Sequence, residues 1–156
     1  MIVRSQNQNR DQNSINRPAL PLTAGDYAAA EVMVLQRVQR EVFPTEMACL
    51  ERKVELSNDS RLRQLAPELD DKGILRVGGR LRRAQGLTED TKHPILLPQK
   101  HAVTDLVIRQ HDTRLHHPGS ERLFAELRRR YWILRGREAV RRYQSRCTEC
   151  RKLKVP

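Results

Sequence analysis

A chain of 156 residues with an apolar fraction of 38% has room for one ordinary domain but not for a large core, so a small domain within it calls for a staple such as a metal. Its formal net charge of +11 favours a polyanionic partner, nucleic acid ahead of an anionic membrane. No apolar run approaches the roughly 18 residues of a membrane span, no apolar stretch of signal-peptide type opens the chain, and three cysteines are too few for a disulfide framework; the expectation is a protein that is neither membrane-spanning nor secreted.

Residues 1–25 are rich in Asn, Gln, Ser and Arg and close on Pro18, Pro21 and Gly25. Such composition cannot repay the entropy of ordering, and a disordered lead-in is expected. Residues 26–64 form a helical linker segment. Val32, Leu35, Val38 and Val42 recur at three- and four-residue steps, which predicts a helix over 26–42 with Asp26 as its N-cap. Pro44 stops it, and a second helix over 46–56 follows Thr45. Both apolar stripes read as packing faces. Cys49 reads as a half-buried helix residue with no special role.

Residues 65–99 form a short β-containing linker. Pro67, Asp70 and Asp71 make a turn. Gly73-Ile-Leu-Arg-Val-Gly-Gly-Arg-Leu reads as a hairpin turning at Gly78-Gly79, and His93-Pro-Ile-Leu-Leu-Pro98 as one more short strand.

Residues 100–156 return to helical period. One helix carries Val103, Leu106 and Val107 and ends near Leu115, before Pro118-Gly119. Ser120 caps the next, whose stripe is Leu123, Phe124 and Leu127. Tyr131-Trp132-Ile133-Leu134 reads as a hinge that plugs the core, and a third helix over 137–146 buries Ala139, Val140 and Tyr143. The predicted fold is mainly α: a small zinc-stapled three-helix bundle preceded by a short β-hairpin element and N-terminal helices.

This last region carries the chemistry. His111, His117, Cys147 and Cys150 supply the four imidazole and thiolate donors of a closed tetrahedral zinc site. The two cysteines of a C-x2-C turn reach one metal, and the histidines flank the end of the preceding helix, so the metal would tie the first helix of the bundle to the last. His116 gives an x4 spacing from His111 and is the alternative to His117, which the Pro118-Gly119 turn can hold fixed. His93 and His101 read as surface histidines. A full set of four structural donors leaves no position for a catalytic water. No catalytic residue is assigned, and the zinc is structural.

The same region is the most basic. Residues 119–156 hold twelve Lys or Arg against four acids. Arg128, Arg129, Arg130, Arg135, Arg137, Arg141 and Arg142 are the candidate phosphate contacts, which give affinity without sequence choice. The alternative is a solvated helix face.

The run His111, His117-Pro-Gly, Leu123-x3-Leu127, Arg130-Tyr131-Trp132, Arg135-Gly136-Arg137, Val140 and Cys147-x2-Cys150 resembles the HHCC zinc-binding N-terminal domain of retroviral-type integrases. Tyr-Trp-Ile-Leu-Arg-Gly-Arg-Glu-Ala-Val at 131–140 is similar to integrases of BEL/Pao-type LTR retrotransposons. Upstream, Asp26-Tyr27, Gly73-Ile-Leu-Arg-Val-Gly-Gly-Arg-Leu81 and His93-Pro-Ile-Leu-Leu-Pro98 resemble the segment joining RNase H to integrase in such polyproteins. The resemblance implies a helical bundle folded around zinc that assists multimerisation and contacts DNA ends, and a nuclear location. The family's catalytic D,D-E core is not expected here: Asp70 and Asp71 match nothing in that triad. The x5 histidine spacing departs from the commoner x4. Against this reading stand a zinc-stabilised protein-interaction scaffold with no DNA role and, more weakly, a thiol redox protein using Cys147 and Cys150.

Overall fold

The computed structural model describes residues 21–79, 86 and 88–153. Most of the expected lead-in, 1–20, lies outside the described residues. The fold is mainly helical with a small four-stranded sheet: α1 (Ala24–Val42), α2 (Pro44–Glu51), β1 (Glu68–Leu69), β2 (Leu75–Arg76), α3 (Glu89–Lys92), β3 (Ile95–Leu97), α4 (Ala102–Arg114), α5 (Ser120–Leu127), β4 (Tyr131–Ile133), α6 (Gly136–Arg146) and α7 (Thr148–Lys152).

α1 starts earlier than its apolar stripe suggests. Thr23, not Asp26, is the N-cap. Its hydroxyl accepts from the Asp26 N–H, and the Asp26 carboxylate accepts from the Thr23 N–H at 2.7 Å. This reciprocal capping box satisfies two otherwise orphaned donors. α2 begins at Pro44 itself, since a proline at the first helical position forfeits only an N–H that has no intrahelical partner.

The sheet runs β1-β2-β3-β4, antiparallel except for the parallel pair β3–β4. The hairpin is β1–β2, one turn earlier than expected. Its turn is built on Asp70, whose carboxylate accepts from Lys72 N–H at 3.0 Å and Ile74 N–H at 2.8 Å. β2 has β1 on one side and β3 on the other. Arg80 and Leu81, where the second strand of the expected hairpin was placed, lie outside the described residues.

Residues 131–134 are not a hinge. β4 pairs with β3 in register, Ile95 opposite Tyr131 and Leu97 opposite Ile133. Alternation along the two strands sends side chains to opposite faces. Ile95, Leu97, Tyr131 and Ile133 enter one cluster with Leu35, Ile108, Leu123, Leu127, Ala139 and Val140. Leu96, Trp132 and Leu134 enter a second with Phe43, Met47, Leu62 and Leu75. β3 is therefore buried on both faces, which is why it reads as a continuous apolar run. Each of its fully buried aliphatic side chains contributes about 2 kcal/mol. The sheet separates a lower layer around α2 from the α4–α5–α6 layer that carries the cysteine–histidine cluster.

Candidate metal centre

α4 ends at Arg114 with Leu115 as its C-cap, and the next two residues turn the chain sharply. His116 and His117 both have φ of 55°, a left-handed conformation that non-glycine residues adopt only when the surroundings hold them there. The His117 N–H returns to the Asp112 carbonyl at 2.8 Å. The turn points the two rings differently: His116 is exposed and His117 half-buried. From the other side, α6 ends at Arg146, and Cys147, with an extended backbone (φ −74°, ψ 123°), is both its C-cap and the N-cap of α7. Cys150, in the first turn of α7, is 4% exposed.

These elements bring four side chains to one point. Asp112, His117, Cys147 and Cys150 offer ligand atoms that lie within 4.8 Å of one another. His117 Nδ1 is 3.5 Å from each cysteine Sγ and 2.7 Å from Asp112 Oδ2. Cys150 Sγ is 3.2 Å from the same carboxylate oxygen. In a tetrahedral zinc site the sulfur–nitrogen edge is about 3.6 Å, from bonds of about 2.3 and 2.05 Å. Each thiol therefore already stands from the imidazole at the spacing that one zinc ion requires.

Their electrostatics call for a cation. Burial, then Asp112, then Cys147 push the Cys150 thiol up to about 12, because two thiols and a carboxylate crowded together cannot all ionise unless a positive charge joins them. Zn²⁺ supplies that charge and takes thiolates outright. Both cysteines are free thiols.

Of the four donors expected from sequence, His117, Cys147 and Cys150 come together. His111 lies outside the group. Its Nδ1 faces the Val107 carbonyl at 2.9 Å, and its ring stands edge-on to Tyr131 at 5.9 Å. One member of the cluster and one neighbour carried no ligand signal in the sequence. Asp112 is fully buried, and Gln144, 1% exposed, donates through Nε2 to Asp112 Oδ1 at 2.9 Å and to the Pro118 carbonyl at 2.8 Å. Asp112 could have been noticed as an acid in the last turn of a helix, where the macrodipole disfavours it. His93 and His101 are half-buried rather than on the surface, and His101 caps α4 by accepting from the Val103 N–H.

The seven arginines separate into two groups. Arg130 reaches Glu31 of α1 at 2.8 Å, and Arg142 reaches the Gln99 carbonyl at 2.8 Å and Asp105 at 3.0 Å; both tie elements together. The other five are exposed. Arg128 stacks over Trp132, its guanidinium carbon 4.6 Å from the ring centre. Arg137 lies over Phe124 at 4.9 Å and pairs with Glu121, as does Arg141. Arg129 pairs with Glu126 and, more loosely, Arg135 with Glu138.

Residues 98–156 match the integrase zinc binding domain family. The cofactor is zinc: the matched family binds it, and the clustered His and Cys side chains form its potential site. The matched domain is a zinc-binding one, not a catalytic one. It begins directly after β3, so it includes β4 but not the strand with which β4 pairs. No curated protein and no solved structure matches the chain. Among the described residues no helix is long and apolar enough to cross a membrane.

Proposed function

We propose that this chain is an integrase-type zinc module of a BEL/Pao-like retrotransposon protein, assisting DNA integration by binding nucleic acid and by self-association while the catalytic core acts from elsewhere. The observation that carries the reading is the convergence of His117, Cys147 and Cys150 at zinc spacing inside the stretch that matches the integrase zinc binding domain. These three hold the metal, and the fourth donor comes from the end of α4, where His111 and Asp112 are consecutive. The zinc is structural: it supplies cross-linking energy between α4, the His117 turn and α7, about 10 kcal/mol in small zinc domains.

The phosphate-binding face is formed by Arg128, Arg129, Arg135, Arg137 and Arg141, exposed on and around α5 and α6. Arg130 and Arg142 hold the fold beneath it. Binding of a labelled DNA duplex that weakens steeply with salt supports this reading, since each phosphate neutralised releases a counterion. Binding that is absent at low salt contradicts it. The module acts in the nucleus or the cytoplasm, and on this reading is not secreted.

A second reading, a protein-interaction scaffold with no DNA role, draws on α1. Tyr27, Met33 and Val34 are 63%, 69% and 45% exposed, and Tyr27 and Val34 lie two turns apart on one side of the helix. Association into dimers without any affinity for DNA would favour this alternative.

A further inference from the structure

The geometry points to Asp112, rather than His111, as the fourth ligand of the zinc, an inference that rests on the zinc reading above. Three independent features place its carboxylate there. First, Asp112 lies on the buried stripe of α4 with Thr104 and Ile108, four and eight residues earlier, and all three are 0% exposed. That register is pinned by the Thr104 hydroxyl, which donates to the Pro98 carbonyl at 2.8 Å. His111 lies about 100° around the helix, where its ring meets Tyr131. Putting His111 in the place of Asp112 would mean turning α4 by that angle and lifting Ile108 out of the core.

Second, the carboxylate has no Lys or Arg partner among the described residues. The one basic side chain within 4 Å of it among these residues is the His117 imidazole. A buried carboxylate without a cation is strongly disfavoured unless it is paired or coordinates a metal. Third, its two oxygens are already divided. Oδ1 is held by Gln144, itself anchored on the Pro118 carbonyl, and Oδ2 faces His117 and Cys150. An outer hydrogen bond that orients one ligand oxygen while the other binds is the usual support of a metal site. Gln144 thus serves as the positioning residue. The resulting donor set is two thiolates, one imidazole and one carboxylate. It carries one negative charge more than zinc neutralises, inside a strongly basic segment.

The test is X-ray absorption at the zinc edge of the full-length chain loaded with zinc, together with zinc affinity by chelator competition for Asp112→Asn and His111→Gln. The expected spectrum has two sulfur and two nitrogen or oxygen scatterers, with multiple scattering from a single imidazole. Asp112→Asn, which is isosteric and keeps an acceptor for Gln144, should lose more affinity than the roughly 10–100-fold that an outer partner costs, and His111→Gln should change it little. Two imidazoles in the wild-type spectrum, or wild-type affinity in Asp112→Asn, would overturn the assignment and leave the zinc module intact. A wild-type chain that takes up no zinc would overturn both.

Discussion

The side-chain amide of Gln39 holds the backbone of Leu75 by both its groups: Oε1 accepts from the Leu75 N–H at 2.8 Å, and Nε2 donates to the Leu75 carbonyl at 2.9 Å. The same Nε2 donates to the Leu96 carbonyl at 2.9 Å. Gln39 is fully buried, so α1 is fastened to β2 and β3 by polar bonds that water cannot replace. Gln39→Leu would leave the Leu75 amide and two carbonyls unsatisfied at a cost of about 1–3 kcal/mol each. We predict a loss of at least about 3 kcal/mol in urea unfolding. An unchanged midpoint would show that α1 is not integral to the fold.

Arg76 and Asp70 set an acid limb of stability. Burial alone would raise the Asp70 carboxyl, but the Arg76 guanidinium at 2.7 Å and the Ile74 and Lys72 N–H groups outweigh it and hold it below its ordinary 3.8. A lowered folded-state value means that the unfolded chain binds the proton more readily. The contribution is present above about pH 4 and is lost as pH falls through the folded value. Asp70→Asn should cost about 2 kcal/mol at neutral pH, and the gap from wild type should close on acidification below pH 4. A gap that is constant with pH would contradict the assignment.

The excised fragment 98–156 should fold poorly even with zinc present. It keeps β4 but lacks β3, whose Ile95 and Leu97 are 2% and 0% exposed against the α4–α6 layer. Tyr131 and Ile133 would lose their strand partner and the Ile95 and Leu97 side chains that share their cluster. We expect broad, poorly dispersed amide spectra for zinc-loaded 98–156 and sharp ones for zinc-loaded 24–153. Equally sharp spectra from both would show the match boundary to be a folding boundary.

The two groups of arginines make opposite predictions. Arg135→Gln and Arg141→Gln should leave stability within about 0.5 kcal/mol. Together they should flatten the salt dependence of DNA binding by roughly two phosphate contacts, about 0.9 in slope for each. Arg130→Gln should instead lower the unfolding midpoint, because Glu31 and Asp90 lose their shared cation. A uniform effect of all three on binding alone would contradict the separation.

What could be read from the sequence was what repeats locally. The helical stripes of α1, α4, α5 and α6 show because three- and four-residue spacing survives without knowledge of partners. The C-x2-C pair shows because its donors are neighbours in the chain. The parallel pairing of β3 with β4 does not show. Each strand is three residues long, and the pairing joins Leu97 to Ile133 across two helices. Gln39 and Gln144 are also invisible, since a buried glutamine has no pattern of its own and gains meaning only from backbone groups brought to it by other elements. Asp112 lay next to a histidine that the ligand count had already claimed. It separates from His111 only once the buried stripe through Thr104 and Ile108 is known.

The zinc itself is the most direct test. Metal content of the purified full-length chain should be one zinc per molecule, and chelation should abolish a large part of the far-ultraviolet helical signal as α7 and the His117 turn come loose from α4. A chain that carries no zinc, and whose helicity is unchanged by chelator, would contradict the account at its centre.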